Sequence, residues 1–151
     1  MKSTAIKAAK EAGKIILHYY SKNVDAITKK NTYDLVTEAD LAAESKIISI
    51  IRKKFPDHSL LTEESGEKTQ KSDYCWVIDP LDGTNNFYHK FPMFCVSIAL
   101  YKKGKPLIGV VFDPLKNELF SAEKNKGAFL NNKEIKVSNV SKLSNSLLVL
   151  G

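Results

Sequence analysis

Residues 77–87 read Val-Ile-Asp-Pro-Leu-Asp-Gly-Thr-Asn-Asn-Phe, an apolar run that ends in two acids three residues apart. The apolar part predicts a strand, and the acids Asp79 and Asp82 follow where it ends. Pro80 fixes one backbone torsion between them and supplies no N–H, which stiffens the step. Carboxylate oxygens are the ligands that hard divalent cations prefer, and the Leu81 carbonyl oxygen is a further candidate ligand.

The two residues after Asp82 suit an anion. Gly83 permits a positive φ or a close approach of the backbone. Thr84 is predicted to cap a short helix through Phe87, whose first N–H groups have no acceptor within the helix. One turn is therefore expected to hold a metal ion and a phosphate side by side. The alternative is a plain helix cap at Asp82 or Thr84, which explains one carboxylate and not both.

Two more acids, Glu63 and Glu64, follow the predicted strand Ser59–Thr62. If that strand lies beside the strand that ends at Asp79, all these carboxylates converge. Crowded carboxylates repel each other and raise their pKa values, and a bound cation removes that penalty. Taken alone, the two glutamates could instead begin a solvated loop, residues 64–73.

Hydrophobic periodicity predicts two N-terminal helices, one over residues 2–21 and one that follows Thr37 and stops at Pro56. The pattern then changes to short apolar runs with period two. The predicted strands are Ser59–Thr62, Tyr74–Asp79, Phe94–Lys102, Pro106–Asp113, Glu118–Glu123 and Ser146–Leu150. Helices followed by an antiparallel meander predict an α+β fold, with two N-terminal helices packed on a mostly antiparallel sheet.

Composition places the chain among ordinary globular proteins of one domain, with 151 residues and a net charge of +6. No apolar run is long enough for a membrane span, and lysines interrupt the N-terminus where a secretory signal would need an apolar stretch. A cytoplasmic location without membrane contact is therefore expected. The middle of the chain, residues 34–90, is acidic, with eleven acids and seven bases. The outer lysines are spread out without interleaved aromatics, so a nucleic-acid partner is not expected.

Each of the two cysteines, Cys75 and Cys95, lies in an apolar strand-like run, which is typical of a buried thiol. The sequence contains no Cys/His pairs at the spacing that holds zinc, so a zinc site is not expected.

Three ordered segments resemble the inositol monophosphatase superfamily of Mg²⁺-dependent, lithium-sensitive phosphatases. They are Asp-Leu-Val-Thr-Glu-Ala-Asp at 34–40, Glu-Glu-Ser-Gly at 63–66 and Trp-Val-Ile-Asp-Pro-Leu-Asp-Gly-Thr-Asn-Asn-Phe at 76–87. The segment Gly-Ala-Phe-Leu-Asn at 127–131 is similar to that family's Gly-Ala-x-x-Asn. The resemblance extends from about residue 5 to the end of the chain. It implies the first half of a layered αβαβα phosphatase fold.

The resemblance also implies a metal set. Glu63, Asp79 and the Leu81 carbonyl would hold one Mg²⁺, and Asp79 would share a second ion with Asp82. Two or three Mg²⁺ ions are expected in all.

The same resemblance implies roles in binding and catalysis. Asp40 and Thr84 would be the catalytic residues, which orient a metal-bound water for in-line attack. The backbone N–H groups of Gly83 and Thr84 would receive phosphate oxygens. Glu64 would support the metal ligands, and Lys29 or Lys30 would line the site. The substrate-binding set implied is Glu63, Leu81, Asp82, Gly83 and Thr84.

The family's later Trp-Asp-x-Ala-Ala-Gly-like segment, whose aspartate completes the second metal site, does not occur here. Residues 1–151 are therefore expected to be the N-terminal metal- and phosphate-binding domain, with the C-terminal domain absent. The implied function is Mg²⁺-dependent hydrolysis of a phosphate monoester of a small polyol, of inositol monophosphate type, by metal-activated water. The alternatives are fructose-1,6-bisphosphatase, 3′(2′),5′-bisphosphate nucleotidase, or a non-catalytic binding module. The expected partners are a small phosphorylated polyol or sugar and a second copy of the chain in a homodimer.

A different phosphatase family, the haloacid dehalogenases, also uses Asp-Gly-Thr, in the signature Asp-x-Asp-Gly-Thr with a nucleophilic first aspartate. Here Pro80 and Leu81 both separate Asp79 from Asp82, so that the nucleophile would be misplaced. This interpretation is therefore rejected.

Overall fold

The computed structural model describes residues 1–21, 26–28 and 35–148. Helix α1 spans Lys2–Tyr20 and helix α2 spans Glu38–Lys54, and the two helices pack against each other. Helix α1 contacts the central strands of a large sheet, and α2 contacts the strand that carries Asp79. The predicted α+β fold, with two N-terminal helices on a mostly antiparallel sheet, is confirmed. None of the helices in the described part of the chain is long and apolar enough to cross a bilayer.

Ten strands and one further short α-helix complete the described structure. The strands are β1 (Ala26–Thr28), β2 (Leu35–Thr37), β3 (Ser59–Thr62), β4 (Gly66–Lys68), β5 (Tyr74–Asp82), β6 (Cys95–Lys102), β7 (Lys105–Asp113), β8 (Glu118–Glu123), β9 (Ala128–Leu130) and β10 (Lys133–Ile135). Helix α3 spans Thr84–Tyr88. Strands β1 and β2 form a separate antiparallel pair. The other eight form one sheet in the order β10-β9-β8-β7-β6-β5-β3-β4, in which only β3 and β5 run parallel.

The core lies between the two helices and one face of this sheet. Strand β6 alternates as its sequence predicts, with Val96, Ile98 and Leu100 buried and their neighbours partly exposed. Small residues let α1 approach the sheet closely, because a Cβ atom added at Gly13 would lie 2.6 Å from the ring of Phe112. The opposite face of the sheet is partly apolar and exposed at positions such as Leu61, Val111 and Phe120. The expectation of a homodimer stays a prediction.

One predicted strand does not form over its described residues, and one observed strand was not predicted. Ser146–Leu150 was predicted as a strand, but residues 146–148 follow a single 3₁₀ turn, Leu143–Asn145, and form no ladder. Leu147 is 93% exposed and pairs with none of the described strands, and residues 149–150 lie outside the described part. The segment 64–73, for which a solvated loop was the alternative, contains β4, whose sequence Gly-Glu-Lys carries no strand signal but pairs with β3.

Candidate active site

The end of strand β5 carries both aspartates on a β-bulge. Its pairing with β6 shifts register between Asp79, which lies opposite Ser97, and Asp82, which lies opposite Cys95. The strand therefore continues past its predicted end at Asp79. Pro80 is tolerated here because a bulge interrupts the ladder, so that no backbone N–H is required at that residue. The bulge keeps both acids at one end of the strand.

Glu63 is brought beside Asp79 by the parallel pairing of β3 and β5. Its N–H donates to the carbonyl oxygen of Ile78 over 3.2 Å, one residue before Asp79. The Glu63 and Asp79 side chains lie close enough to each other for Glu63 to affect the pKa of Asp79. Burial, followed by the charges of Glu63 and Asp82, raises the pKa of Asp79 to about 7. Glu63 and Asp82 therefore lie close enough to Asp79 to affect its charge.

Thr84 and Leu81 form the link between the acids and helix α3. The Leu81 N–H donates to Oδ1 of Asp79 over 3.2 Å, and Oγ1 of Thr84 donates to the Leu81 carbonyl oxygen over 3.0 Å. The prediction that Thr84 caps the helix was wrong: the cap position is Gly83 and Thr84 is the first helical residue. Its hydroxyl instead holds the carbonyl that sequence analysis proposed as a metal ligand. That oxygen keeps a second lone pair for another partner.

Both the backbone torsion at position 83 and the lack of space for a side chain there require glycine. Its φ is +90°, and a Cβ atom there would lie 2.9 Å from the Met93 carbonyl oxygen. The chain can turn sharply into α3 only because this Cβ is absent. Phe87 anchors the short helix, since its ring is buried and contacts the rings of Tyr20 and Phe94 at centroid distances of 5.5 and 5.3 Å.

Helix α2 contributes two buried acids. Asp40 is 1% exposed in the first turn, on the helix that packs against β5. Glu44, one turn later, is 3% exposed and accepts hydrogen bonds from the Glu64 N–H, over 2.9 Å, and from the Ser65 hydroxyl. Glu44 therefore holds the turn that presents Glu63. Sequence analysis missed it, although an acid four residues after Asp40 on the apolar face of a helix was a usable signal.

Cys95 is not simply a core thiol. It is half-buried, and its Sγ donates to Oδ2 of Asp82 over 3.6 Å. Burial, with the negative charges of Asp82, Asp79 and Asp113, raises the pKa of Cys95 to about 12, so that the thiol stays protonated and can donate. Lys29 and Lys30, which were expected to line the site, lie outside the described residues.

The donors present suit Mg²⁺ chemically. Carboxylate and carbonyl oxygens form the set. Burial, and after it the charges of Glu63 and Asp82, raise the pKa of Asp79, and a bound cation would offset both effects. Across the residues that are described, no group of three His, Cys, Asp or Glu side chains has the geometry to hold a metal ion. The residue types fit the ion by their chemistry, and the ligand assignment stays a prediction.

Comparison with known proteins gives a consistent result. The family model described as "Inositol monophosphatase family" matches residues 1–151. A Nus factor SuhB of Pasteurella multocida is 47% identical over 153 residues, which cover 100% of this chain and 57% of the relative. An inositol-1-monophosphatase of Synechocystis is 46% identical over 148 residues, which cover 97% of this chain and 52% of the relative.

A solved structure agrees with the fold. The extragenic suppressor protein suhB of Bartonella henselae superimposes with a TM-score of 0.88 and 38% identity, over 91% of this chain and 54% of that one. The chain thus spans about half the length of the relatives that it matches. The expectation that a nucleic-acid partner is unlikely is not supported, since one relative is named a Nus factor.

Proposed function

Since the chain belongs to the inositol monophosphatase family, we propose that residues 1–151 form the metal- and phosphate-binding domain of a Mg²⁺-dependent phosphatase. Its substrate would be a phosphate monoester of a small polyol, of inositol monophosphate type. The observation that carries this proposal is the approach of Glu63, Asp79 and Asp82 at the end of β5, directly before the Gly83 turn.

Four groups would hold the ions. Glu63, Asp79 and the Leu81 carbonyl would take one Mg²⁺, and Asp79 would share a second with Asp82. When bound, the ions would supply Lewis-acid chemistry, lowering the pKa of water from about 15.7 toward 7 and offsetting charge on the leaving oxygen. Glu44 keeps Glu63 in place through the turn that follows it.

The protein groups around that centre would orient the reactants. The N–H groups of Gly83 and Thr84 would donate to phosphate oxygens, at a turn that only glycine can form. The Thr84 hydroxyl uses its proton on the Leu81 carbonyl, which leaves its oxygen lone pairs to accept from the attacking water. Asp40 would accept a second hydrogen bond from that water and fix its direction. Such positioning is the protein's main contribution to phosphoryl transfer.

Three further functions are alternatives: two other phosphatase activities and a binding role. Fructose 1,6-bisphosphate and 3′(2′),5′-bisphosphate nucleotides carry the same reacting group, so that the ligand set alone does not separate them from an inositol phosphate. A binding role without turnover is the other candidate, favoured by the name Nus factor of one relative. Such a binding role would use the same fold and would not require an assembled metal site.

The test is Mg²⁺-dependent phosphate release by the purified protein from inositol 1-phosphate, fructose 1,6-bisphosphate and a 3′,5′-bisphosphate nucleotide. Asp79→Asn should reduce kcat by roughly 10²-fold or more, because a ligand of both ions is lost. Asp73→Asn is the matched control, since Asp73 is an exposed acid that pairs with Lys103 over 3.4 Å. Turnover that survives in Asp79→Asn, or that needs no divalent ion, would contradict the proposal. Preference for the bisphosphate nucleotide would replace the proposed activity with that of a 3′(2′),5′-bisphosphate nucleotidase.

A further inference from the structure

The groups at the end of β5 are each held by a dedicated hydrogen-bond donor. The Leu81 N–H holds the Asp79 carboxylate, and the Thr84 hydroxyl holds the Leu81 carbonyl. For Asp82 the donor is the thiol of Cys95, with Sγ 3.6 Å from Oδ2. Thus Cys95 completes a set in which every proposed ligand of the β5 segment has a partner that fixes its direction.

The need for such a partner is greatest at Asp82. Its side chain is exposed, at the last residue of the strand, where little packing restrains rotation of the carboxylate. Among the residues that the structure describes, Cys95 is the only side chain that donates to it. The contact depends on the bulge, which places Asp82 directly opposite Cys95 on β6.

We propose that Cys95 is a positioning residue: its thiol holds Oδ2 of Asp82 and so leaves the other carboxylate oxygen directed to a divalent cation. This inference rests on the proposed function, because it assigns a role toward the ion that Asp82 would share with Asp79. The residue itself touches neither the substrate nor the reacting atoms. A thiol is a weak donor, so its loss should cost less than the roughly 10–100-fold that loss of a ligand's supporting partner typically costs in metal affinity.

The experiment is a titration of the purified protein with Mn²⁺, an ion that binds oxygen ligands as Mg²⁺ does and whose free form is counted by its EPR signal. Cys95→Ala should weaken the affinity by about fivefold. Cys95→Ser, which restores a donor of similar size, should stay within about twofold of the original affinity. Cys75→Ala is the matched control, because Cys75 is the other half-buried thiol and lies on β5 at its far end. It should leave Mn²⁺ binding unchanged.

A second comparison separates positioning from a general effect on folding. If Cys95 acts through Asp82, then adding Cys95→Ala to Asp82→Asn should weaken Mn²⁺ binding no further than Asp82→Asn alone. Equal, additive losses in both backgrounds would overturn the inference, as would a Cys95→Ser variant that binds no better than Cys95→Ala. Unchanged binding in Cys95→Ala would remove the role of Cys95 and leave the proposed function intact. A wild-type protein that binds no Mn²⁺ would overturn both together.

Discussion

The carboxyl groups of Glu63 and Asp79 lie beside each other across the parallel strand pair β3–β5. Burial and a neighbouring negative charge both disfavour the ionised form of a carboxyl group. A pKa of about 7 for Asp79 agrees with this, and burial is its largest cause. Near neutral pH the Asp79 carboxyl group is therefore partly protonated when no cation is bound.

The first prediction concerns stability against pH. The folded pKa of Asp79 lies above its ordinary value of 3.8, so its contribution is complete below that value and is lost as pH rises through about 7. Without divalent ions, the unfolding free energy of wild type should fall relative to Asp79→Asn by about 1–2 kcal/mol between about pH 5 and pH 8, after a discount for partial exposure. Urea denaturation of both proteins at the two pH values measures this. Parallel changes in the two proteins would show that Asp79 does not titrate in this range.

The second prediction concerns the turn into α3. Gly83→Ala should destabilise the protein by about 3 kcal/mol, because a positive φ and a clash with the Met93 carbonyl act together. Gly104→Ala is the control, with a φ of +71° but nothing within 4 Å of the new Cβ, and should cost about 1 kcal/mol. Chemical denaturation measures both. Equal losses would mean that torsion alone, and not space, requires glycine at position 83.

The third prediction concerns the buried Glu44. Glu44→Ala removes the acceptor of the Glu64 N–H and the Ser65 hydroxyl, and should cost about 1–3 kcal/mol of stability. It should also weaken Mn²⁺ binding, because the turn that presents Glu63 loses its support. Ser65→Ala, which keeps the Glu64 contact, should show the smaller loss in both measurements. A Glu44→Ala protein with unchanged Mn²⁺ affinity would separate this turn from the metal site.

Some of this arrangement could be predicted from the sequence and some could not. The alternation of apolar and polar residues predicted strand Glu118–Glu123 with its observed bounds, because the two faces of the strand meet different environments. The segment Ser146–Leu150 is the more apolar of the two, but the strand predicted there does not form over its described residues. A strand also needs a partner, which composition does not reveal. The meeting of Glu63 with Asp79 was predicted only on the condition that their strands are neighbours.

The contact between Cys95 and Asp82 was beyond the reach of pattern reasoning. It depends on a register shift between Asp79 and Asp82, and a bulge changes which residues face each other without changing the periodicity of either strand. The role of Glu44 could have been predicted in part. An acid at helical spacing among Ile47 and Ile51 must find a donor when buried, and the sequence shows the acid but not the donor.

The fourth prediction concerns the far end of the sheet, where Nε1–H of the buried Trp76 donates to Nδ1 of His58 over 3.0 Å. The His58 ring stacks between Phe55 and Tyr74, with centroid distances of 4.9 and 4.7 Å. Burial lowers the pKa of His58 below 6.5, against the opposing charge of Asp57. The neutral ring is therefore favoured by folding. Its contribution is complete above pH 6.5 and is lost as pH falls through the lowered folded value.

Trp76 is the only tryptophan of the chain, so its fluorescence should report this titration directly. Protonation of Nδ1 removes the acceptor of the indole N–H, and the emission should change in one step below pH 6.5. His58→Gln keeps an acceptor that does not titrate and should abolish the step, whereas His58→Ala should leave the indole unsatisfied and cost about 1–3 kcal/mol. If His58→Gln shows the same acid step as wild type, another group controls the environment of Trp76, and the hydrogen bond does not link this end of the sheet to pH.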